Sequence, residues 1–123
     1  MIGYITLGVS DMQSAKQFYG ELLADLGASL QFDMDRIAFF GKSTAEPMVA
    51  VCIPFDEQET HPGNGNMVAF TPGSKEAVDK LYHKAIELGA SCDGEPGARI
   101  PDVFYGAYVR DTDGNKLCFA YFG

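Results

Sequence analysis

Two stretches of the chain, ELLADLGAS (Glu21–Ser29) and HKAIELGAS (His83–Ser91), end in the same Leu-Gly-Ala-Ser and lie about half of the 123 residues apart. A self-similarity at that period constrains the fold more than any composition figure, because it predicts one structural unit used twice. Each copy closes an amphipathic segment. After Ser10 or Asp11, residues Met12–Leu26 place Met12, Ala15, Phe18, Tyr19, Leu22, Leu23 and Leu26 on one stripe at i, i+3, i+4 spacing. After Gly73, with Ser74 as cap, Ala77, Val78, Leu81, Tyr82, Ala85 and Ile86 form a second stripe. Gly27 and Gly89 stop the two helices at the position where a left-handed residue is wanted. Stripes of this kind pack against a sheet.

The sheet segments follow the same repeat. Tyr4–Val9 precedes the first helix, and Ser29–Phe32, Arg36–Phe40 and Met48–Ile53 follow it. Met67–Thr71 precedes the second, followed by Ser91–Cys92, Val103–Val109 and Lys116–Phe122. The unit is therefore βαβββ, giving an α+β chain with module 1 over about 1–57 and module 2 over about 67–123. The Glu-, Pro-, Gly- and Asn-rich stretch over about 56–66 reads as the linker. A half of about 60 residues buries little core alone, so the two are expected to form one domain, 1–123. One helix per unit covers one sheet face. The other face must meet the partner sheet, another subunit or a ligand.

Composition excludes several functions. A formal charge of −8 with no Lys/Arg cluster argues against nucleic acid. No apolar run approaches the roughly 18 residues of a membrane span, and the N-terminus reads as a strand rather than a signal peptide. Cys52, Cys92 and Cys118 are odd in number and form no CxxC pair, which suits free thiols in the cytoplasm.

The strand, the V-S-D-M-x-x-A-x-x-F-Y helix start (Val9–Tyr19) and the terminal R-D-T-D-G-N-K-L (Arg110–Leu117) together resemble the vicinal oxygen chelate superfamily, which includes glyoxalases, extradiol dioxygenases and bleomycin-resistance proteins. The resemblance spans essentially the whole chain. It implies a cleft lined by the concave sheet, often completed by a homodimer, and in many members a divalent ion held by two histidines and a glutamate. Carried across, those positions fall on Tyr4, on Met67 (Asn66 if the register shifts by one) and on Cys118. The further carboxylate of the glyoxalases has no counterpart in Met48–Ile53. Hard divalent ions want oxygen or imidazole donors, and Tyr, Met and Cys are a poor set for them. No metal or other cofactor is expected.

The remaining candidates for contact with a ligand lie in GARIPDVFYGAY (Gly97–Tyr108). Arg99 offers a fork to a carboxylate or phosphate, and Tyr105 and Tyr108 offer aromatic walls with hydroxyl handles. Their ordinary reading is a surface arginine and half-buried sheet tyrosines. Phe39 and Tyr121 read as core first and lining second. His61 belongs to the turn ETHPGNG, with a place at the cleft rim as the alternative; His83 reads as surface. Asp111–Asn115 lacks the ligand spacing and closing Glu of a calcium loop, and Gly114 suits a hairpin turn.

Two function classes follow. One is a binding protein of the bleomycin-resistance kind, holding a small molecule in the cleft without a family-type metal, with Tyr4, Met67, Arg99, Tyr105, Tyr108 and Cys118 as lining. The other is a glyoxalase-like lyase or isomerase with an atypical metal or an acid–base pair such as Tyr4 and Cys118. Lys116 shares a strand face with Cys118 and would help lower its pKa, but the ordinary reading of Cys118 is a buried, inert thiol.

Overall fold

The computed structural model describes residues 1–123, which divide into two compact units, Met1–His61 and Pro62–Gly123. The division falls inside the stretch read as a linker. In the first unit the order is β1 (Tyr4–Gly8), α1 (Met12–Ala24), β2 (Ser29–Asp33), β3 (Ile37–Gly41) and β4 (Met48–Cys52). In the second it is β5 (Val68–Phe70), α2 (Lys75–Glu87), β6 (Ser91–Ile100), β7 (Phe104–Arg110) and β8 (Lys116–Phe122). Both are βαβββ. The sheet orders, β1-β4-β3-β2 and β5-β8-β7-β6, are also the same, with a parallel pair between the first and last strand of each unit.

The shared Leu-Gly-Ala-Ser has a structural cause. Gly27 (φ +79°) and Gly89 (φ +110°) take conformations that favour glycine. Around the first, Ala28 N–H donates to Leu23 O at 3.1 Å and Gly27 N–H to Ala24 O at 3.0 Å. Around the second, Ala90 N–H donates to Ala85 O at 3.0 Å and Gly89 N–H to Ile86 O at 3.1 Å. This paired pattern satisfies the last helical carbonyls and turns the chain into an edge strand. The helix starts are also alike: Asp11 accepts from Ser14 N–H at 3.1 Å, and Ser74 from Ala77 N–H at 3.0 Å.

Strand alternation then sorts the side chains. In the first unit Phe40 faces α1, since a Cβ on Gly20 would touch its ring at 3.5 Å. Its face includes Ala38 and, through the β3–β4 register, Val49 and Val51; Leu7 joins it across β1–β4. With Leu22 and Leu23 of α1, the buried Leu7, Ala38, Phe40 and Val51 make the first core. Burying Leu22 fully contributes roughly 2 kcal/mol. In the second unit Leu117, Phe119, Val109 and Ala107 share the α2 face with Val78, Leu81 and Ala85, all buried.

One element departs from the sequence reading. β6 runs the whole of Ser91–Ile100 rather than stopping at Cys92, although it contains Gly94, Pro96 and Gly97. Its pairing with β7 shifts register three times, and such bulges accommodate residues that a regular central strand rejects. The helices end at Ala24 and Glu87, and Met67 lies just before β5. No helix is long and apolar enough to cross a membrane.

Candidate functional site

Each unit leaves one sheet face without a helix, and each such face carries a cluster of chemistry-bearing side chains. In the first unit this face carries Tyr4, Thr6 and Gly8 of β1, Phe39 of β3 and Phe32 of β2. Tyr4 and Phe39 meet edge to face at 4.8 Å between ring centroids, and Phe39 meets Phe32 at 5.8 Å. The small Ala50 on the intervening strand, opposite both Phe39 and Thr6, leaves room for this aromatic row. Such pairs gain about 0.5–1.5 kcal/mol each beyond burial.

Beside the row lies a cavity of about 550 Å³, lined among others by Tyr4, Thr6, Arg36, Cys52, Phe55 and His61. Its wall is built from three directions. The sheet supplies Tyr4, Thr6 and Cys52, the β2–β3 connection supplies Arg36, and the segment after β4 folds back to supply Phe55 and His61. Gly8 makes that return path fit, since a Cβ there would collide with the Thr60 hydroxyl. Arg36 is fixed by donating from Nη1 to Ile53 O at 2.9 Å, and its guanidinium carbon lies 5.4 Å from the Phe55 ring centroid. Asp56 and Glu59 are also on the lining, so the cavity combines apolar surface with both signs of charge.

In the second unit the helix-free face carries Tyr108, Cys118, Lys116 and Arg110, with Arg99 arriving from β6. The Arg99 guanidinium carbon is 5.3 Å and the Lys116 Nζ 5.1 Å from the Tyr108 ring centroid. Tyr108 lies opposite Cys118 in the β7–β8 register. Burial pushes the Cys118 thiol up, and the nearby Arg99, the Tyr108 hydroxyl and Lys116 only partly offset it. The lowering that Lys116 offers is therefore outweighed by desolvation. Cys118 is fully buried. Burial, and then the Cys118 charge, likewise raises Tyr108.

Sequence reasoning grouped Tyr105 with Tyr108, and the structure separates them. Tyr105 sits on the α2 face, donating to Asp79 Oδ1 at 2.6 Å, with Lys75 Nζ 5.8 Å from its ring centroid. Tyr82, also on α2, has its hydroxyl pushed up to about 12 by a hydrogen bond with Cys92 and by burial. Tyr4 belongs to the first unit's cluster, whereas Arg99, Tyr108 and Cys118 belong to the second's. Met67 is half-exposed ahead of β5, beside Asn66, whose N–H donates to Gly63 O at 3.3 Å. His61 lines the first unit's cavity and His83 stacks edge-on with Tyr82. Arg36 and Phe55 were not singled out from sequence. Their only signal was a cation opening an apolar strand and an aromatic residue just ahead of a polar linker.

The sequence model of the Glyoxalase/Bleomycin resistance protein/Dioxygenase superfamily matches residues 1–119. The chain belongs to this superfamily. Among solved structures it is similar to a glyoxalase/bleomycin resistance protein from Albidiferax ferrireducens T118, at 30% identity over 99% of this chain and 98% of that one, with a TM-score of 0.89. A glyoxalase-related enzyme from Fulvimarina pelagi is 24% identical over 98% of this chain and 86% of that one, with a TM-score of 0.78. A lactoylglutathione lyase from Agrobacterium tumefaciens is 20% identical over 98% and 92%, with a TM-score of 0.68. The last two likenesses show the fold alone. No curated protein matches.

Membership in the glyoxalase superfamily raises the question of a divalent ion, and the donor set answers it. The positions that the family resemblance assigns to the ligands hold a phenol, a thioether and a buried thiol whose proton is held more tightly than usual. No three His, Cys, Asp or Glu side chains come together to hold a metal. These residues do not fit the hard ion of the glyoxalase type, which needs oxygen or imidazole donors.

Proposed function

We propose that this member of the glyoxalase superfamily binds a small organic molecule on the helix-free face of its first unit, without a metal of the family type. The observation that carries this reading is the cavity of about 550 Å³ between the aromatic row of Tyr4 and the fixed guanidinium of Arg36. Its volume is that of small-molecule sites, and apolar walls with a few convergent polar groups are their usual lining. The ligand this lining favours has a flat apolar body, for Tyr4, and a polar substituent for Arg36. The lyase or isomerase alternative with Tyr4 and Cys118 as acid and base is weaker, because a fully buried thiol with a raised pKa exchanges its proton poorly. We also infer a homodimer, supported by the exposed Ile2, Leu30, Phe32 and Met34, and a cytoplasmic location, supported by three free cysteines.

A thermal-shift screen of small aromatic compounds tests the proposal. Compounds that raise the melting temperature of the wild-type protein, keep doing so after chelator treatment, and fail on Tyr4→Ala support it. Stoichiometric Ni²⁺, Zn²⁺ or Mn²⁺ retained through purification overturns its metal-free part. Ligands that stabilise Tyr4→Ala as well as wild type place the site elsewhere.

A further inference from the structure

The helix-free face of the second unit is electrostatically out of keeping with the chain. The protein has nine Lys and Arg against seventeen Asp and Glu, yet Arg99 and Lys116 both lie against one tyrosine ring, and Arg110 stands opposite Lys116 on the neighbouring strand. One carboxylate faces them: Asp93 accepts from Arg110 Nε at 3.0 Å and lies 3.4 Å from Lys116 Nζ. Those two cations hold the Asp93 carboxyl below its ordinary value, the Arg110 hydrogen bond most of all. Arg99 has no part in that network. Its guanidinium donates to two backbone carbonyls, Gly97 O at 2.9 Å and Glu95 O at 2.6 Å, and to no carboxylate.

The backbone is shaped around this guanidinium. A Cβ on Gly97 would lie 3.1 Å from Arg99 Nη1, and one on Gly94 would lie 3.2 Å from Arg99 Nη2 and 2.8 Å from the Tyr108 ring. Two glycines in a bulged strand thus vacate a seat for Arg99 and for the ring beneath it. Two carbonyl bonds from its own strand fix the fork, and a guanidinium has five N–H donors, so three remain. A pre-set fork with spare donors, over an aromatic ring that also carries a lysine ammonium, matches a planar or tetrahedral oxyanion.

We propose that the Arg99, Lys116 and Tyr108 side chains form a binding site for a small anion bearing a carboxylate or phosphate. Arg99 supplies the bidentate contact and Lys116 adds charge, while Gly94 and Gly97 keep the guanidinium in place. Every residue of this site belongs to the second unit.

The test is an NMR titration of the full chain at low ionic strength, following the Arg side-chain Nε–H signals and the Tyr ring signals. The probes are inorganic phosphate and benzoate, with chloride as the screening control. The expected result is a saturable shift of Arg99 and Tyr108 with both probes. Arg99→Gln weakens it by about tenfold or more, as loss of a charged hydrogen-bond pair requires. Arg99→Lys, which keeps the charge but not the fork, falls between, and Lys80→Gln on exposed α2 surface binds like wild type. Equal shifts with chloride, shifts confined to Arg36 and Tyr4, or wild-type affinity in Arg99→Gln each overturn the proposal. Because the cavity reports through Arg36 and Tyr4, failure of this site and failure of the first are read from different signals.

Discussion

Tyr105 and Asp79 join β7 to α2 through a hydroxyl–carboxylate hydrogen bond of 2.6 Å. Tyr105→Phe removes the donor and leaves the ring, so it is expected to lower stability by about 1–2 kcal/mol in urea unfolding. The pair also sets an alkaline limit. The Asp79 hydrogen bond and then burial raise Tyr105 above its ordinary value. A folded value above the unfolded one means that the contribution is complete below about pH 10 and is lost as pH rises through the folded value. Unfolding curves of wild type and Tyr105→Phe should converge above that pH. A constant gap at all pH values would show that the loss comes from packing instead.

The Asp111 turn makes a second stability prediction. Asp111 Oδ1 accepts from the backbone N–H of Asp113 at 3.0 Å and of Asn115 at 2.9 Å, and Oδ2 accepts from Asn115 Nδ2 at 2.9 Å. Both residues are buried. Asp111→Ala strands these donors and should cost about 2–3 kcal/mol. Gly114→Ala should cost about 1 kcal/mol, since Gly114 has φ +88° and a Cβ would press on Pro62 at 3.2 Å. An unchanged denaturation midpoint in Asp111→Ala would refute the turn's structural role.

The three thiols should separate by reactivity. Cys92 is exposed, whereas Cys52 and Cys118 are buried. Alkylation followed by mass spectrometry is expected to modify Cys92 first and to reach Cys118 only on unfolding, because the thiolate is the reactive form and burial raises the Cys118 pKa. If Cys118 is modified in the native protein as fast as Cys92, it is neither sealed nor raised, and an acid–base role for it regains ground.

How far the sequence discloses this molecule can be traced through three residues. Gly27 was legible: a glycine closing an apolar stripe, repeated at Gly89, announces both the helix end and the duplicated unit. Tyr105 was legible in principle. It stands an odd number of residues from Tyr108 on one strand, so the two must face opposite ways, and only one can share the face of Cys118. Arg36 was not legible. It reaches a site because Ile53 O fixes it and the segment after β4 brings Phe55 over it, and both depend on a chain reversal that no local pattern encodes. The fold follows from periodicity, which is local. The site follows from loop return paths, which are not.

The first-unit cavity gives the prediction that bears most directly on function. Tyr4 meets Phe39 with one edge and is half-exposed, so its truncation should disturb the core little. Tyr4→Ala is expected to lower stability by no more than about 1 kcal/mol. A ligand found by thermal shift should nonetheless bind it about tenfold or more weakly, as loss of a central aromatic anchor implies. Arg36→Gln probes the polar end. It breaks the hold on Ile53 O and frees Phe55, so ligands with a polar substituent should lose affinity while wholly apolar ones keep it. Gly8→Ala tests the architecture itself, because its Cβ would push Thr60 away and open the return segment. If calorimetry finds wild-type affinity in all three variants, the ligand does not occupy this cavity.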